Sequence, residues 1–320
     1  MSIKLTKADY VILKNLAYNS RMFDVELARK CNLSKDSIRY RIARLEKLGI
    51  INGYGAFIDY VRLGYKSFKL YLRLNATFDQ RENLRDFLKK EKNVFAIFES
   101  NGEWDIGIAV FVKTRVEYYD FEEKLLSNIG SMINSKMFCL MLDAVVFNNL
   151  LIDDTKEEYH FWQDVPIDGI DEKDRVLLNA LHEDSRQNLV NLAKKIGLSI
   201  DATSKRMKKL VSNKVISFYT ADIDYNKLGF QKYKLFVSVK SYSKEIEMKL
   251  FEFFRQKRSV TNVIRIIGPW KLEVEFLIKE HNEFEIILSE MQEQFSDVIQ
   301  KLDFSIFKNE IRFPSEKLLI

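Results

Sequence analysis

The sequence predicts an α+β protein built from two tandem units. Each unit is a winged helix-turn-helix followed by a ferredoxin-like βαββαβ domain, and the two sheets pack together as an intrachain pseudo-dimer. Three observations predict this fold class. The chain repeats itself after a shift of 165 residues, each copy opens with three helical patterns, and each copy then alternates strand and helix periods.

The repeat covers whole domains. Residues 9–42 align with residues 174–207 without a gap, and the match continues from residues 57–65 onto residues 222–230. Solenoid proteins repeat with periods of roughly 20 to 50 residues. The much longer period found here indicates a duplicated pair of domains.

Each copy begins with three helical patterns joined by short turns. Thr6 and Asp171 occupy the N-cap position of the first helix, and Ser34 and Ser199 occupy that of the third. Three helices in this order predict a helix-turn-helix, in which the third helix is the one that can enter a DNA groove. The extended segment that follows each third helix predicts a wing.

The remainder of each copy is predicted to be βαββαβ. In the first copy we expect strands at 68–74, 94–100, 104–112 and 137–147 and helices at 80–92 and 115–129. In the second copy we expect strands at 233–239, 260–268, 271–278 and 301–307 and helices at 243–257 and 282–295. This order places both helices on one face of the sheet.

The free face of each sheet also needs a cover. Residues 137–147, MFCLMLDAVVF, carry apolar side chains on both faces, so a second sheet is expected against the first. The outward positions of the second copy are more polar, so the two sheets are not equivalent. These positions are Lys271, Glu273, Glu275, Lys301 and Asp303.

The patterns divide the chain into five parts. They are a winged helix-turn-helix at 1–60, a βαββαβ domain at 61–150, an acidic linker at 151–169, a second helix-turn-helix at 170–225 and a second βαββαβ domain at 226–320. The linker carries six carboxylates against the single Lys156, which is typical of an exposed segment. Its aromatic run at 159–162 favours a strap packed on a domain over a site that stacks a base or ligand.

Composition excludes several kinds of site. Apolar residues make up 47% of the 320 positions, but no run approaches the roughly 18 residues of a membrane span, so a cytoplasmic protein without membrane contact is expected. The two cysteines and three histidines show no ligand spacing, so neither a metal nor a cofactor is predicted. With no nucleophile-base pair, phosphate loop or carboxylate dyad in motif context, no catalytic residues are predicted.

Positive charge is concentrated in the two helix-turn-helix segments. Residues 1–60 hold 11 Lys and Arg against 6 Asp and Glu, and residues 170–229 hold 11 against 8. Because a duplex attracts cations on a helix that fits its major groove, double-stranded DNA is the predicted partner. The candidate contacts of the first unit are Ser34, Lys35, Asp36, Ser37, Arg39, Tyr40, Arg41, Arg44 and Lys47. Those of the second unit are Ser199, Thr203, Lys205, Arg206, Lys208 and Lys209.

The third helix of the second copy differs in sequence from that of the first copy at its C-terminal end. Lys214 stands where the first copy has Gly49, a residue suited to a left-handed helix cap, and the second copy lacks a glycine matching Gly53. We therefore expect the second helix to end or point differently, which leaves its base reading open.

The motifs of the first copy resemble those of the Lrp/AsnC family of transcriptional regulators. The matching residues are Leu5, Asp9, Ser20-Arg21, Glu26-Leu27-Ala28, Leu33-Ser34, Arg41-Ile42, Arg44-Leu45-Glu46, Gly49-Ile50-Ile51, Gly53-Tyr54 and Leu63-Gly64. The resemblance covers both copies. It implies a DNA-binding half followed by a βαββαβ half that senses ligands and mediates dimerisation.

The same resemblance implies a small effector, commonly an amino acid. Family members bind it near a Gly-x-x-Asp turn, which corresponds here to Gly102, Glu103, Trp104 and Asp105. The second copy has Lys271 in place of the aspartate, so one site per pair of units, or none, is implied. A simple tight turn explains the same residues.

Two other functions compete with this interpretation. Sirohaem decarboxylases are similar in fold and also come as paired units, but they carry His- and Tyr-rich segments, whereas residues 93–105 and 262–274 contain no histidine. A protein that organises DNA without sequence preference is the other alternative. We expect a regulator that is not an enzyme, and further homo-oligomerisation of the pseudo-dimer is left open.

Overall fold

The computed structural model describes residues 4–147, 158–162, 167 and 169–312. In the first unit the elements are α1 (Lys7–Tyr18), α2 (Asp24–Cys31), α3 (Lys35–Lys47), β1 (Ile51–Ile58), β2 (Lys66–Leu74), α4 (Phe78–Lys90), β3 (Val94–Gly102), β4 (Ile106–Val112), α5 (Arg115–Ile129) and β5 (Ile133–Phe147). The short strand β6 (Glu158–Phe161) follows. In the second unit they are α6 (Glu172–Glu183), α7 (Leu189–Ile196), α8 (Ile200–Ser212), β7 (Ile216–Ile223), β8 (Gln231–Val239), α9 (Lys244–Gln256), β9 (Val260–Ile267), β10 (Leu272–Ile278), α10 (His281–Gln294) and β11 (Ile299–Arg312).

The predicted helix starts are confirmed. Ser34 Oγ accepts the backbone N–H three residues ahead at 3.1 Å, and Ser199 Oγ does the same at 3.2 Å. Thr6 and Asp171 cap α1 and α6 in capping boxes. Each cap satisfies a backbone donor that the first turn of a helix leaves without an internal partner.

The expected difference between the ends of α3 and α8 is wrong. The two helices stop at matching positions, Lys47 and Ser212. Gly49 has φ 63° and Lys214 has φ 56°, so the lysine keeps the left-handed conformation of the glycine. Local strain of about 1 kcal/mol is tolerated because the packing of α8 fixes the path of the chain.

Strands β1 and β7 pair with each other rather than folding back as separate wings. Gly55 lies opposite Thr220, and these two positions are themselves related by the repeat. The register is symmetric about them, since Tyr54 faces Ala221 on one side and the repeat-related pair lies on the other. A pseudo-twofold axis therefore passes through the Gly55–Thr220 pair.

Each helix-turn-helix core is completed by the strand segment of the other unit. The core of α1 to α3 includes three buried residues from the second unit, Ala221, Ile223 and Leu228. The core of α6 to α8 includes five from the first unit: Ala56, Ile58, Tyr60, Tyr65 and Phe111. The two units are thus interlocked, and the five-part division of the chain remains a sequence-based prediction.

The eight strands of the two βαββαβ halves form two sheets joined at both edges. The strand order is β5-β2-β4-β3 in the first half and β11-β8-β10-β9 in the second. Strand β3 pairs with β11 and β5 pairs with β9, so the sheets close on each other face to face. Helices α4 and α5 cover one outer face and α9 and α10 cover the other. The predicted fold class is confirmed.

The two-sided apolar pattern of β5 has a specific cause. Phe138 packs towards the helices of its own unit, whereas Cys139 and Met141 face the space between the sheets. An irregularity in register with β9 lies between Met141 and Asp143, and beyond it Val145 joins the core of the second unit. Strand β5 therefore serves both halves of the molecule.

The expectation of an exposed linker is wrong for its described part. Residues Glu158–Phe161 form β6, which pairs with the end of β5. Phe161 is 1% exposed, and the Tyr159 ring stacks on Tyr18 at 5.0 Å between ring centroids. The aromatic run is a packed strap, as its composition favoured, while residues 148–157 and 163–166 lie outside the described residues.

Charged side chains lie buried between the two sheets, where sequence analysis placed polar outward positions. Glu273 and Glu275 are 0% and 5% exposed. The Glu273 carboxylate accepts from Lys69 Nζ at 2.5 Å and lies 3.4 Å from Lys234 Nζ. Lys232 Nζ lies 3.2 Å from Glu275. These five residues are called the buried charge cluster below. Lys301 and Asp303 pair with each other near the surface at 2.8 Å.

Opposite charges stabilise the ionised carboxylates in this cluster. Burial alone would raise the pKa of Glu273, but the ammonium groups of Lys69 and Lys234 outweigh it and hold that pKa below its usual value. Burial also lowers the pKa of Lys69, and Glu273 opposes this effect. The cluster is stable only as a set, because removing one partner leaves another charge buried and unpaired.

Candidate DNA interface

Helix α3 is amphipathic, and its apolar stripe fixes which side chains face outward. Ile38 and Leu45 are 0% exposed and Ile42 is 5% exposed, all within the core of the first helix-turn-helix. Because residues three and four apart share a face, the remaining positions project away from that core. The helix therefore presents one polar face to solvent.

Most predicted contacts of the first unit lie on that polar face. Ser34, Lys35, Asp36, Arg39, Tyr40 and Lys47 are exposed, and Ser37 and Arg44 are half-buried. Arg39 Nε donates to Asp24 of α2 at 2.8 Å, yet 59% of its side chain is accessible. Arg44 Nη1 lies 3.6 Å from Asp9 and keeps 37% of its side chain accessible. The surface combines cations with the aromatic ring of Tyr40.

Arg41 and its repeat partner Arg206 are already engaged within the protein. Arg41 Nη1 donates to Asp9 at 2.8 Å, and Arg206 Nη1 donates to Asp174 at 2.8 Å. Burial alone would raise the pKa of Asp9, but hydrogen bonds from Thr6 and Arg41 outweigh it and hold the pKa low. Both arginines hold the third helix against the first helix of its unit.

The second unit presents a different set on α8. Lys205, Lys208 and Lys209 are exposed, and Lys205 pairs with Asp201 at 2.8 Å. Ser199 caps the helix. Thr203 was predicted to contact DNA, but it is 0% exposed and its hydroxyl donates to the Ser199 carbonyl at 2.8 Å. Thr203 occupies the position of the core residue Ile38, so that prediction is wrong.

The Ser-Arg motif of each copy lies at the junction of the two helix-turn-helix units. Ser20 Oγ and Ser185 Oγ are 2.7 Å apart and both residues are fully buried. Arg21 reaches across to the Ser185 carbonyl and stacks over the Tyr219 ring at 5.6 Å. Sequence analysis missed this role, although identical Ser-Arg pairs at one repeat spacing were a usable signal.

A cleft of about 350 Å³ lies between the two units beside the start of α3. Its lining includes Arg21, Lys35, Arg39 and Arg186, with Asp24 as a countercharge. Arg39 and Arg186 both approach the Asp24 carboxylate, at 2.8 and 3.5 Å. The basic surface of α3 therefore continues across the junction towards the second unit.

The predicted effector turn is placed against the second unit. Glu103 donates its backbone N–H to the Phe304 carbonyl of β11 at 3.0 Å, and a side chain at Gly102 would meet the same carbonyl. Trp104 is 5% exposed and lies 6.3 Å, between ring centroids, from Trp270, its counterpart in the matching turn of the second unit. The two tryptophans meet in the core between the sheets.

Asp105 has partners on both carboxylate oxygens. Its Oδ2 accepts the Leu74 N–H at 2.8 Å, and its Oδ1 accepts from Arg81 at 3.2 Å. The side chain remains 29% accessible. The observed geometry is that of a tight turn tied to the start of α4, and an amino acid would have to compete with Arg81 for the carboxylate.

The described part of the chain contains no group of three or more His, Cys, Asp or Glu side chains arranged to hold a metal ion. The histidines occupy separate places: His160 in β6, His182 in α6 and His281 at the start of α10. None of the described helices combines the length and apolar composition required to cross a bilayer.

Family models match the helix-turn-helix segment of each copy, in agreement with this geometry. The family model described as a winged helix-turn-helix DNA-binding domain matches residues 5–52. The model of the AsnC-type helix-turn-helix domain matches residues 170–211. The two matches contain α1 to α3 and most of α6 to α8.

Two archaeal relatives extend the similarity beyond these domains. An uncharacterized HTH-type transcriptional regulator of Pyrococcus horikoshii is 31% identical over 110 residues, which are 34% of this chain and 69% of that protein. One from Pyrococcus furiosus is 27% identical over 128 residues, covering 40% of this chain and 86% of the relative. A single relative thus corresponds to one unit of this chain.

A solved structure matches the tandem arrangement as a whole. The siroheme decarboxylase NirDL superposes with a TM-score of 0.67 over 98% of this chain and 96% of its own, at 12% sequence identity. At that identity the match concerns the fold alone. Combined with the domain matches and the relatives, the geometry leads to one assignment: the chain belongs to the Lrp/AsnC family of transcriptional regulators, with two family units in tandem.

Proposed function

We propose that this protein is a transcriptional regulator that binds double-stranded DNA through α3 and α8. The observation that carries the proposal is the arrangement of the two helices, each capped by a serine, exposed and basic, and related by a pseudo-twofold axis. A third helix of a helix-turn-helix fits the major groove, and a twofold pair fits the symmetry of a duplex.

The proposed contacts fall into two groups. Ser34, Lys35, Asp36, Ser37, Arg39, Tyr40, Arg44 and Lys47 act in the first unit, and Ser199, Lys205, Lys208 and Lys209 act in the second. Thr203 is removed from the set, because it is buried. Arg41 and Arg206 position their helices through Asp9 and Asp174.

Salt dependence tests the proposal and counts the helices that bind. With about four phosphate contacts per helix-turn-helix, two engaged units give a slope near −7 in a plot of log affinity against log salt, and one engaged unit gives about half that. Binding to genomic fragments should be measured at several salt concentrations, so that a specificity ratio is also obtained. A slope near zero would contradict DNA binding, and equal affinity for all fragments would indicate a DNA-organising protein.

Effector sensing at residues 102–105 is a further proposal. An amino acid that binds there stabilises the folded state, so it should raise the melting temperature, and Asp105→Asn should remove the effect. Asp79→Asn, on the first turn of α4, is a control for charge removal nearby. If no amino acid shifts the melting temperature of the unaltered protein, the sensing proposal is wrong.

We propose that regulation involves no enzymatic activity. The fold shared with NirDL makes sirohaem decarboxylation the alternative. Incubation with sirohaem under reducing conditions, followed by absorption spectroscopy, distinguishes the two, since the proposal expects no change in the spectrum. The cytoplasmic location remains a prediction.

A further inference from the structure

We propose that the DNA target is non-palindromic: two unlike half-sites in inverted orientation, one read by α3 and the other by α8. This inference rests on the proposed function and deepens it by specifying the target. Two observations support it. The backbone contacts at the axis are symmetric, whereas the outward side chains of α3 and α8 differ.

The symmetry of the backbone comes from the contacts at the axis. The register of β1 and β7 maps onto itself under the repeat, with Gly55 opposite Thr220. Backbone hydrogen bonds away from the axis also occur in pairs related by the repeat. Asp59 N–H donates to the Val215 carbonyl at 2.9 Å. Asp224 N–H donates to the carbonyl of residue 50, the repeat counterpart of Val215, also at 2.9 Å. Helices α3 and α8 are therefore related by a twofold rotation, which on a duplex means half-sites of inverted orientation.

Two anchors of the recognition helices are the same in both units. Ser34 and Ser199 cap the helices, and Arg41 and Arg206 tie them to the preceding first helix. The anchoring of the helices is thus shared, so a difference in DNA reading must come from the outward side chains.

Those outward side chains differ at matching positions. The aligned pairs are Arg39 and Ser204, Tyr40 and Lys205, Ala43 and Lys208, and Lys47 and Ser212. The first helix presents a guanidinium group, an aromatic ring, a methyl group and an ammonium group, of which the first three suit guanine edges and the thymine methyl. The second presents a hydroxyl, two ammonium groups and a second hydroxyl at the same places. The preferred bases should therefore differ between the two half-sites.

The interior of the protein favours one unit of each kind in every pair. Lys69 and Lys234 are repeat partners, and both lie against the Glu273 carboxylate. In the strand register the counterpart of Glu273 in the first unit is Gly107, because Gly107 lies opposite Tyr71 as Glu273 lies opposite Phe236. Two first units packed together would oppose two buried lysines with no carboxylate from that position, which is costly. Pairing of the first unit of one chain with the first unit of another is thus disfavoured. Two identical units are therefore not available to bind the two identical half-sites of a palindrome.

Selection from a randomised duplex library with the full chain tests the inference. The expected consensus has two half-sites about one helical turn apart, or a multiple of that, and neither is the reverse complement of the other. Palindromes made from either half-site alone should then bind about tenfold more weakly or worse, since a mismatched base pair costs about 1–3 kcal/mol.

A helix-surface exchange provides the matched variant. Ser204→Arg, Lys205→Tyr, Lys208→Ala and Ser212→Lys, made together in the full chain, give α8 four of the outward residues of α3 without touching its core. The exchange covers four of the outward positions, and Ile200, Ala202 and Lys209 keep their own side chains. This variant should shift its preference towards the palindrome of the first half-site by about tenfold, whereas Lys249→Ala on the distant α9 should keep the original preference. A palindromic consensus for the unaltered protein would overturn this inference and leave the proposed function standing. No binding, or binding without sequence preference, would overturn the regulator proposal and this inference together.

Discussion

Ser20 Oγ and Ser185 Oγ lie 2.7 Å apart at the buried junction between the two helix-turn-helix units, one repeat spacing apart in sequence. Each hydroxyl is the other's side-chain partner. Together with the β1–β7 pairing, this contact joins two domains whose relative orientation sets the spacing of the two recognition helices, so it links the packing of the protein to its proposed mode of binding.

Removing one of these hydroxyls should lower the free energy of unfolding by more than half of the loss caused by removing both. Ser20→Ala leaves Ser185 Oγ buried without that partner, so we expect a loss of about 1–3 kcal/mol in the free energy of unfolding. The Ser20→Ala, Ser185→Ala double variant should lose less than the sum of the single losses. Denaturant titration of all four proteins measures the coupling, with exposed Ser212→Ala as the control. Strictly additive losses would show that the two hydroxyls do not interact.

The buried charge cluster should be sensitive to the loss of one carboxylate. Glu273→Gln leaves Lys69 and Lys234 without their shared partner, and we expect a destabilisation of about 3–5 kcal/mol. Glu245→Gln, which breaks an exposed pair with Lys249 on α9, should have no measurable effect. Thermal unfolding of both variants measures the two changes in stability. Equal stability of the two variants would mean that the cluster is solvated in solution.

The left-handed position after α8 offers a stabilising substitution. Lys214 has φ 56°, so Lys214→Gly should stabilise the protein by about 1 kcal/mol, which corresponds to a few degrees in melting temperature. Gly49→Ala at the matching position, where φ is 63°, should destabilise by a similar amount. Scanning calorimetry measures both changes. Effects of the same sign would contradict the helix-end geometry.

His182 should make the junction between the units sensitive to acid. Burial lowers the pKa of His182 below its usual value of 6.5, although a contact of its Nδ1 with the Ala56 carbonyl at 3.3 Å opposes this. The unfolded chain then binds the proton more readily, so stability should fall as the pH drops below about 6.5. His182→Gln should lose part of this pH dependence, and His160→Gln on an exposed side chain should retain it. Melting curves between pH 8 and pH 5 provide the measurement.

The two recognition helices should contribute unequally to binding. Replacing Arg39 and Arg44 with Ala removes two guanidinium groups that can bind guanine or phosphate with two hydrogen bonds each. We expect a larger loss of specific affinity than for Lys205→Ala with Lys209→Ala. A titration at fixed salt compares the two double variants, which remove the same total charge. Equal losses would indicate that only charge matters.

The element order, the helix caps and the repeat were all predictable from sequence, because these features depend on residues close together in the chain. Ser34 and Ser199 cap their helices through atoms three residues away. The alternation in residues 137–147 indicated a strand with apolar side chains on both faces, of which Cys139 and Met141 are buried while Phe138 and Leu142 stay 42% and 44% exposed. Such local patterns report which side chains share a face.

The partner that covers a face depends on the tertiary structure. Glu273 and Glu275 alternate with apolar residues as solvent-facing carboxylates would, yet they are buried because Lys69, Lys232 and Lys234 lie within reach. For the same reason, the burial of β6 could not be predicted from sequence, because its acidic surroundings suggested exposure.

By itself, the sequence determined two units, their elements and the basic face of each third helix. The tertiary structure decided that β1 and β7 pair across the axis, that each helix-turn-helix core is completed by the other unit, and that Thr203 is buried while Arg41 is engaged. The physical reason is that local periodicity fixes the direction of a side chain, whereas its burial and its partner depend on residues distant in sequence, from 32 positions away for Arg41 and Asp9 to 165 for Gly55 and Thr220.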